Sequence, residues 1–137
     1  MIRDARRGDA AALAALVAEL GYASAEPAID AALRSLGSME RVIVAEEGGE
    51  VLGFASAAVV PFFHDRSRRL RLTAIAVAPA HRGHGVARGL VAQLERWGRA
   101  LGCDLVEVTS AEHRSDAHAA YGALGFEEAS QRFVRRL

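Results

Sequence analysis

The sequence predicts an α/β (α+β) protein in which helices cover a mixed sheet. Three observations predict it. Apolar residues recur at helical spacing in stretches bounded by Gly or Pro. Short β-branched runs lie between those stretches. The elements follow one another as β-α-α-β-β-β-α-β-α-β, an antiparallel meander framed by helices and not a repeated βαβ unit. With 137 residues, 51% of them hydrophobic, the chain has the length of one small domain and the apolar material for a core. A disordered tail and a collagen-like chain are excluded.

Residues 1–5 read as a short first strand. Asp9 stands where an N-cap is expected, ahead of Leu13, Leu16, Val17 and Leu20 on one helical face, and Gly21 ends that helix. A second helix is expected over residues 26–36, with Pro27 near its start, Ile29, Leu33 and Leu36 on one face, and Gly37 as its stop. A hairpin follows. Val42, Ile43, Val44 and Ala45 form one strand, Gly48-Gly49 the turn, and residues 51–60 a second strand closed by Pro61. Residues 62–68 read as a loop and 69–77 as a third long strand. Residues 78–85 break it. The next helix carries an apolar stripe of Val86, Leu90, Val91, Leu94, Trp97 and Leu101, with Glu95 and Arg99 paired at i,i+4 outside, and Gly102 ends it. Residues 105–109 are expected as a short strand, 116–124 as a last helix stopped by Gly125, and 126–137 as one or two closing strands.

Charge narrows the function classes. Basic and acidic residues balance at 17 each, which argues against a nucleic-acid polycation. Every basic residue is Arg, so chemistry that needs a lysine amine is excluded: the phosphate-loop lysine, Schiff-base and pyridoxal catalysis. Cys103 is the single cysteine, which excludes an internal disulfide and a Cys-rich zinc site. No apolar run approaches the roughly 18 residues of a membrane span, and residues 1–8 carry no secretory hydrophobic region. The expectation is a soluble cytoplasmic protein with neither a nucleic-acid nor a membrane partner.

The most informative stretch is Arg82-Gly83-His84-Gly85-Val86-Ala87, between a strand and a helix. The first turn of a helix presents unpaired N–H groups at the positive end of the macrodipole. Glycines let that backbone close around a phosphate with no Cβ in the way. Arg82 and Arg88 add charge at either end. A Walker loop needs Gly-Lys-Ser/Thr, which is absent. A dinucleotide fingerprint needs a third glycine where Arg88 stands, and a βαβ context that the meander does not provide. A connecting turn with no ligand is the bland reading; the anion cradle fits the surrounding strand and amphipathic helix better.

Arg82-x-x-Gly85-x-Ala87 resembles the acyl-CoA signature Q/R-x-x-G-x-G/A of the GCN5-related N-acetyltransferase (GNAT) family. The preceding Leu72-Thr73-Ala74-Ile75-Ala76-Val77-Ala78-Pro79 looks like that family's fourth strand, and Ala117 to Phe126 like its closing helix, A-x-x-[FL]-Y-x-x-x-G-F. The resemblance covers nearly the whole chain and implies one acyl-CoA N-acyltransferase domain over residues 1–137. It implies a mostly antiparallel sheet of six to seven strands with about four helices, splayed between strands four and five. The cosubstrate it implies is acetyl-CoA. Its diphosphate would lie on the amides of Gly83, His84, Gly85, Val86, Ala87 and Arg88, with Arg82 and Arg114 adding charge. Its pantetheine arm would pair with the main chain of Ile75, Ala76 and Val77, and an N–H near Val77 would face the thioester oxygen.

The same resemblance implies roles for side chains. Tyr121 stands where many members carry a tyrosine that protonates the departing thiolate; a half-buried core tyrosine is the bland reading. Many relatives place a glutamate base on the fourth strand, and this strand has none. Glu107 on the next strand is the nearest candidate base by topology. His64, Asp65, His113, Asp116 and His118 are further candidates, each with a surface or capping role as its plainer reading. His113 and His118 do not have metal-ligand spacing, and no metal site is expected.

The implied acceptor is a primary amine of a small molecule, walled by the first two helices and the loop over residues 62–69. Arg66, Arg68, Arg69 and Arg71 form a basic run. Such a run is commonly a solvated face or meets the CoA 3′-phosphate; here it could instead receive an anionic acceptor. The C-terminal half, Arg114-x-Asp116-Ala117-His118-x-x-Tyr121 with Gly125-Phe126-Glu127, looks like aminoalkylphosphonate N-acetyltransferases. A polycationic aminoglycoside would call for an acidic cleft. Protein or peptide amines, a non-catalytic acyl-CoA sensor and a nucleotide-binding module are the alternatives. Relatives are often homodimers, though no feature here fixes an interface.

Overall fold

The computed structural model describes residues 1–109, 115–129 and 132–137. Its strands are β1 (Ile2–Asp4), β2 (Glu40–Glu47), β3 (Glu50–Pro61), β4 (Arg68–Val77) and β5 (Leu105–Val108). Its helices are α1 (Ala10–Glu19), α2 (Glu26–Arg34), α3 (Val86–Ala100) and α4 (Ser115–Ala123). Short 3₁₀ turns over Arg7–Asp9 and Pro79–His81 lead into α1 and out of β4. No helix among the described residues is long and apolar enough to cross a membrane.

The strands form one sheet in the order β1-β2-β3-β4-β5. The first three pairings are antiparallel and β4–β5 is parallel. Each face has its own core. On one, Leu90, Val91 and Leu94 of α3 pack on Ile43, Ala55, Ala57, Val59, Leu70 and Leu72. On the other, Leu13 and Leu16 of α1 pack on Val44, Phe54 and Ala76, with Ile29 and Leu33 of α2 beside them. The α3 stripe expected from the 3.6-residue period is the stripe that is buried.

Among the described residues the sheet has five strands, not six or seven: no strand forms over residues 126–129 and 132–137. Gly125, with φ +94°, and the bond from the Phe126 N–H to the Tyr121 carbonyl (3.0 Å) close α4. Beyond it, Phe133 and Val134 are 88% and 76% exposed. Neighbouring residues in a strand point to opposite faces, so this pair, flanked by charges, offers neither face an apolar row.

Asp9 also differs from expectation. It precedes α1, but its carboxylate does not cap the helix. It is buried and accepts a forked pair from Arg3 (Nη1 2.8 Å, Nη2 2.9 Å) and the Arg6 N–H (2.8 Å). Arg3 also donates to Glu46, so a single guanidinium ties β1, β2 and the entry to α1 together. The Arg3 bonds, with help from the Arg6 N–H, hold the Asp9 carboxyl below its ordinary range, although burial opposes them. A depressed folded pKa stabilises the protein fully above the unfolded value, and that contribution fades as pH falls. Asp9→Asn is expected to cost about 2 kcal/mol in neutral urea melts. Below the ordinary carboxyl value of 3.8, the wild type should lose its advantage over the variant.

Candidate active site

The site begins with a one-residue irregularity in β4. Ala57 faces Leu72 and Ser56 faces Ala74, leaving Thr73 as an extra residue, a β-bulge. An inserted residue flips every side chain after it. Leu70 and Leu72 therefore face α3, whereas Ala74, Ala76 and Ala78 face α1. The Leu72–Val108 pair is also the last contact of β5 with β4. From Thr73 to Val77, β4 is paired on its β3 side only among the described residues.

Backbone alternation shows which groups that leaves open. Ala78 donates to the Leu52 carbonyl (2.8 Å), so it faces β3. Ala76 and Ala74 share that orientation in an antiparallel ladder, and Ile75 and Val77 turn their N–H and C=O groups to the bare edge. The expected splay between the fourth and fifth strands is this gap.

At the top of the gap lies the glycine loop. Gly83 and Gly85 have φ of +80° and +83°, a region that side chains rarely adopt, and a Cβ at either would meet nothing within 4 Å. Glycine is required there by backbone angle, with open space above it. The first backbone bond of α3 runs from the Gly89 N–H to the Gly85 carbonyl (3.0 Å). The N–H groups of Gly83, His84, Gly85, Val86, Ala87 and Arg88 have no acceptor among the described residues. They form a row of donors at the positive end of a 15-residue helix.

The loop's arginines are engaged elsewhere in the chain. Arg82 Nε donates to the Val77 carbonyl (3.1 Å), and its Nη2 lies 3.6 Å from Glu19 at the end of α1. Arg88 Nη2 donates to the Ala123 carbonyl (3.0 Å), closing the C-terminus of α4 and docking it beside α3. The backbone, not the arginine pair, is the open anion-binding feature. Tyr121 sits on α4, half-buried, with its ring edge-on to Phe126 at 6.1 Å.

At the bottom of the gap are polar groups on the α1 face. Thr73 Oγ1 and Ser56 Oγ share a 2.7 Å hydrogen bond. Leu70, Leu72, Val106 and Val108 pack toward α3, so Arg69, Arg71 and Glu107 stand on the opposite face. Glu107 Oε1 accepts from Arg71 Nε (2.9 Å) and Nη2 (2.6 Å), while Oε2 lies 3.9 Å from Arg69 Nη1. Glu107 thus pins Arg71 of its neighbouring strand, with Arg69 beside it beyond hydrogen-bond distance.

The remaining candidates are dispersed. Asp65 accepts from the N–H and hydroxyl of Ser67 (3.0 and 2.7 Å), and these bonds shape the β3–β4 hairpin and lower its pKa. His64 stacks edge-on against Phe62 in the same hairpin. Asp116 and His118 fall within α4, which begins one residue earlier than expected. His113 and Arg114 lie outside the described residues. Sequence reasoning missed Thr73, Ser56 and Glu19. Thr73 had one signal, a lone hydroxyl inside an apolar alternation.

The acetyltransferase (GNAT) family profile matches residues 12–126. The chain belongs to this family. The chain spans about two fifths of the length of the first curated relatives it matches, N-acetyltransferase 8F1 and N-acetyltransferase family 8 member 2 of the rat. The chain is 33% identical over 135 residues to aminoglycoside N(6')-acetyltransferase type 1 of Stenotrophomonas maltophilia, covering 93% of this chain and 86% of that protein. It is 31% identical over 91 residues to rat (Rattus norvegicus) N-acetyltransferase 8F1, covering 66% of this chain but only 41% of that protein. The aminoglycoside N-acetyltransferase AAC(6')-Iy in complex with CoA superimposes with a TM-score of 0.89 at 25% identity, over all of this chain and 93% of that one. These relatives do not carry the aminoalkylphosphonate likeness of the C-terminal half; two of the three are aminoglycoside enzymes.

Within this GNAT chain, Gly53 holds the open edge in place. A Cβ there would lie 2.9 Å from the Ala76 carbonyl oxygen and 3.3 Å from Val77 Cα. At Gly98 a Cβ would meet only the Leu70 side chain, at 3.1 Å. Gly53→Ala is expected to lose about 1–3 kcal/mol in urea melts, whereas in Gly98→Ala the gain in helix propensity offsets the push on Leu70. Gly53→Ala alone should also weaken CoA binding in calorimetry, because it displaces the backbone of β4.

Proposed function

We propose that the chain moves the acetyl group of acetyl-CoA to a primary amine of a small molecule, by direct attack through a tetrahedral intermediate. The carrying observation is the open β4 edge at Ile75 and Val77, running directly into the unpaired amides of residues 83–88. The amides receive the diphosphate. Ile75 and Val77 pair with the amides of the pantetheine arm in place of the missing strand. Arg82 leaves the Val77 carbonyl as that arm arrives and becomes available to the diphosphate.

A main-chain N–H of the open edge at Ile75 and Val77, fixed by the sheet, is the donor to the oxygen that gains charge as the amine attacks the thioester carbon. The carbon–sulfur bond then breaks, and the Tyr121 hydroxyl gives its proton to the sulfur. The attacking nitrogen loses a proton through water toward Glu107, the carboxylate at the bottom of the gap. Tyr121→Phe is expected to lower kcat by about 10²-fold with the CoA dissociation constant unchanged. Unchanged turnover would remove Tyr121 from the reaction.

A second reading has one observation in its favour: no residue of β4 is a carboxylate. A chain that binds acyl-CoA without transferring it would serve as a sensor. Calorimetry with CoA, followed by thiol release from acetyl-CoA over a panel of amines, separates the two. Binding with turnover supports the enzyme, binding without turnover the sensor, and absence of binding defeats both.

A further inference from the structure

We propose that Arg69, supported by Arg71, is the acceptor-recognition site, and that the acceptor amine carries a carboxylate or phosphate. The proposal rests on the acetyltransferase reading and deepens it. The open ends of the gap fix the direction. The diphosphate amides follow the C-terminal end of β4, whereas Arg71 lies six residues before Val77, roughly 20 Å away along an extended strand. The basic run is therefore too far from the cradle to meet the phosphate end of the cofactor. It lies on the α1 face, beyond the bulge at which the cofactor's edge begins.

Arg69 is built for an anion. Its guanidinium lies over the Phe62 ring at 4.0 Å, which fixes its plane. Its side chain is only 33% exposed, yet its N–H donors make no hydrogen bond among the described residues. Its nearest acceptor is Glu107 Oε2, at 3.9 Å. A planar fork held flat with its edge unoccupied matches carboxylate or phosphate bidentately. Arg71 is engaged by Glu107 through two donors, so the trio of Arg69, Arg71 and Glu107 carries one excess positive charge. The other carboxylate named near the gap, Glu19, is paired with Arg82.

A polycationic acceptor finds no unpaired carboxylate on this floor among the described residues. An acceptor with both charges fits: its anion on Arg69, its ammonium reaching along the gap toward the thioester. From Arg69 to Ile75 is six residues, roughly 20 Å. The long Arg69 side chain shortens that span, and the acceptor bridges the rest.

The test is acetylation of 3-aminopropyl phosphate, 4-aminobutyrate, n-butylamine and neamine, with calorimetry of 3-aminopropyl phosphate on CoA-loaded protein. The expected kcat/KM ratio of 3-aminopropyl phosphate to n-butylamine is at least about tenfold, through KM. Arg69→Gln should bring that ratio close to one, and Arg69→Lys, which keeps the charge but not the fork, should leave it intermediate. CoA affinity reports that each variant is folded. A preference for neamine or n-butylamine, an unchanged ratio in Arg69→Gln, or no heat with 3-aminopropyl phosphate overturns the proposal. Loss of CoA binding by the wild type would instead overturn the acetyltransferase reading, and calorimetry of 3-aminopropyl phosphate on CoA-free wild type and Arg69→Gln would still decide whether Arg69 takes the anion.

Discussion

Two residues of β4 leave their N–H and C=O groups beside a gap where a strand would otherwise lie. Backbone groups in a sheet must be paired by something, whether protein, water or ligand. At Ile75 and Val77 the proposed partner is an extended molecule with amides of its own. Nearly every other feature of the site keeps that edge in place. The bulge at Thr73 turns β4 away from β5 where their pairing ends. Gly53 lets β3 approach the back of the edge closely. The two cores clamp β4 between α3 and α1, so the edge is open without being loose.

The charges follow a consistent division of labour. The chain has only arginine for its cations, and the structure uses several as struts. Arg3 joins β1 and β2 to the entry of α1, Arg68 donates to the Leu101 carbonyl at the end of α3 (2.9 Å), and Arg88 closes α4. Anion binding at the cradle is thereby left to backbone amides, which need no side-chain ordering to act. Arg69 is different. It has a fixed plane and idle donors, the combination that suits recognition better than support.

The sequence made much of this legible, for physical reasons. The α3 stripe, the hairpin turn and the glycine loop are local: a helical period, a Gly-Gly dipeptide and two positive φ angles are written in consecutive residues. The Arg82 to Ala87 signature and the Tyr121 to Phe126 segment were likewise readable, and they identified the family. The bulge was not. Leu70, Leu72, Ala74 and Ala76 look like one face of a strand, and only the partner register reveals that Thr73 sends the last two to the other side. Asp9 stood in the right place for a cap but found a stronger partner in Arg3, 6 residues away in sequence and across a turn. Arg88 lay in the cradle by position, yet its side chain reaches α4, 35 residues on. The closing strands failed because their apolar residues are adjacent and not alternate.

In the proposed function, the bulge lets one strand serve two substrates. Before Thr73, β4 presents its arginines on the α1 face and its leucines to α3; after Thr73 its alanines take the α1 face. The same surface therefore changes from charged and hydrogen-bonding to small and apolar at the vertex of the gap. Small side chains after the bulge let α1 pack close over the edge that pairs with the cofactor, while long ones before it project into solvent where an acceptor arrives. An unbulged strand would keep one chemistry along each face. In the proposed reaction a single threonine left out of the ladder thus divides donor side from acceptor side, at the point where the open edge begins.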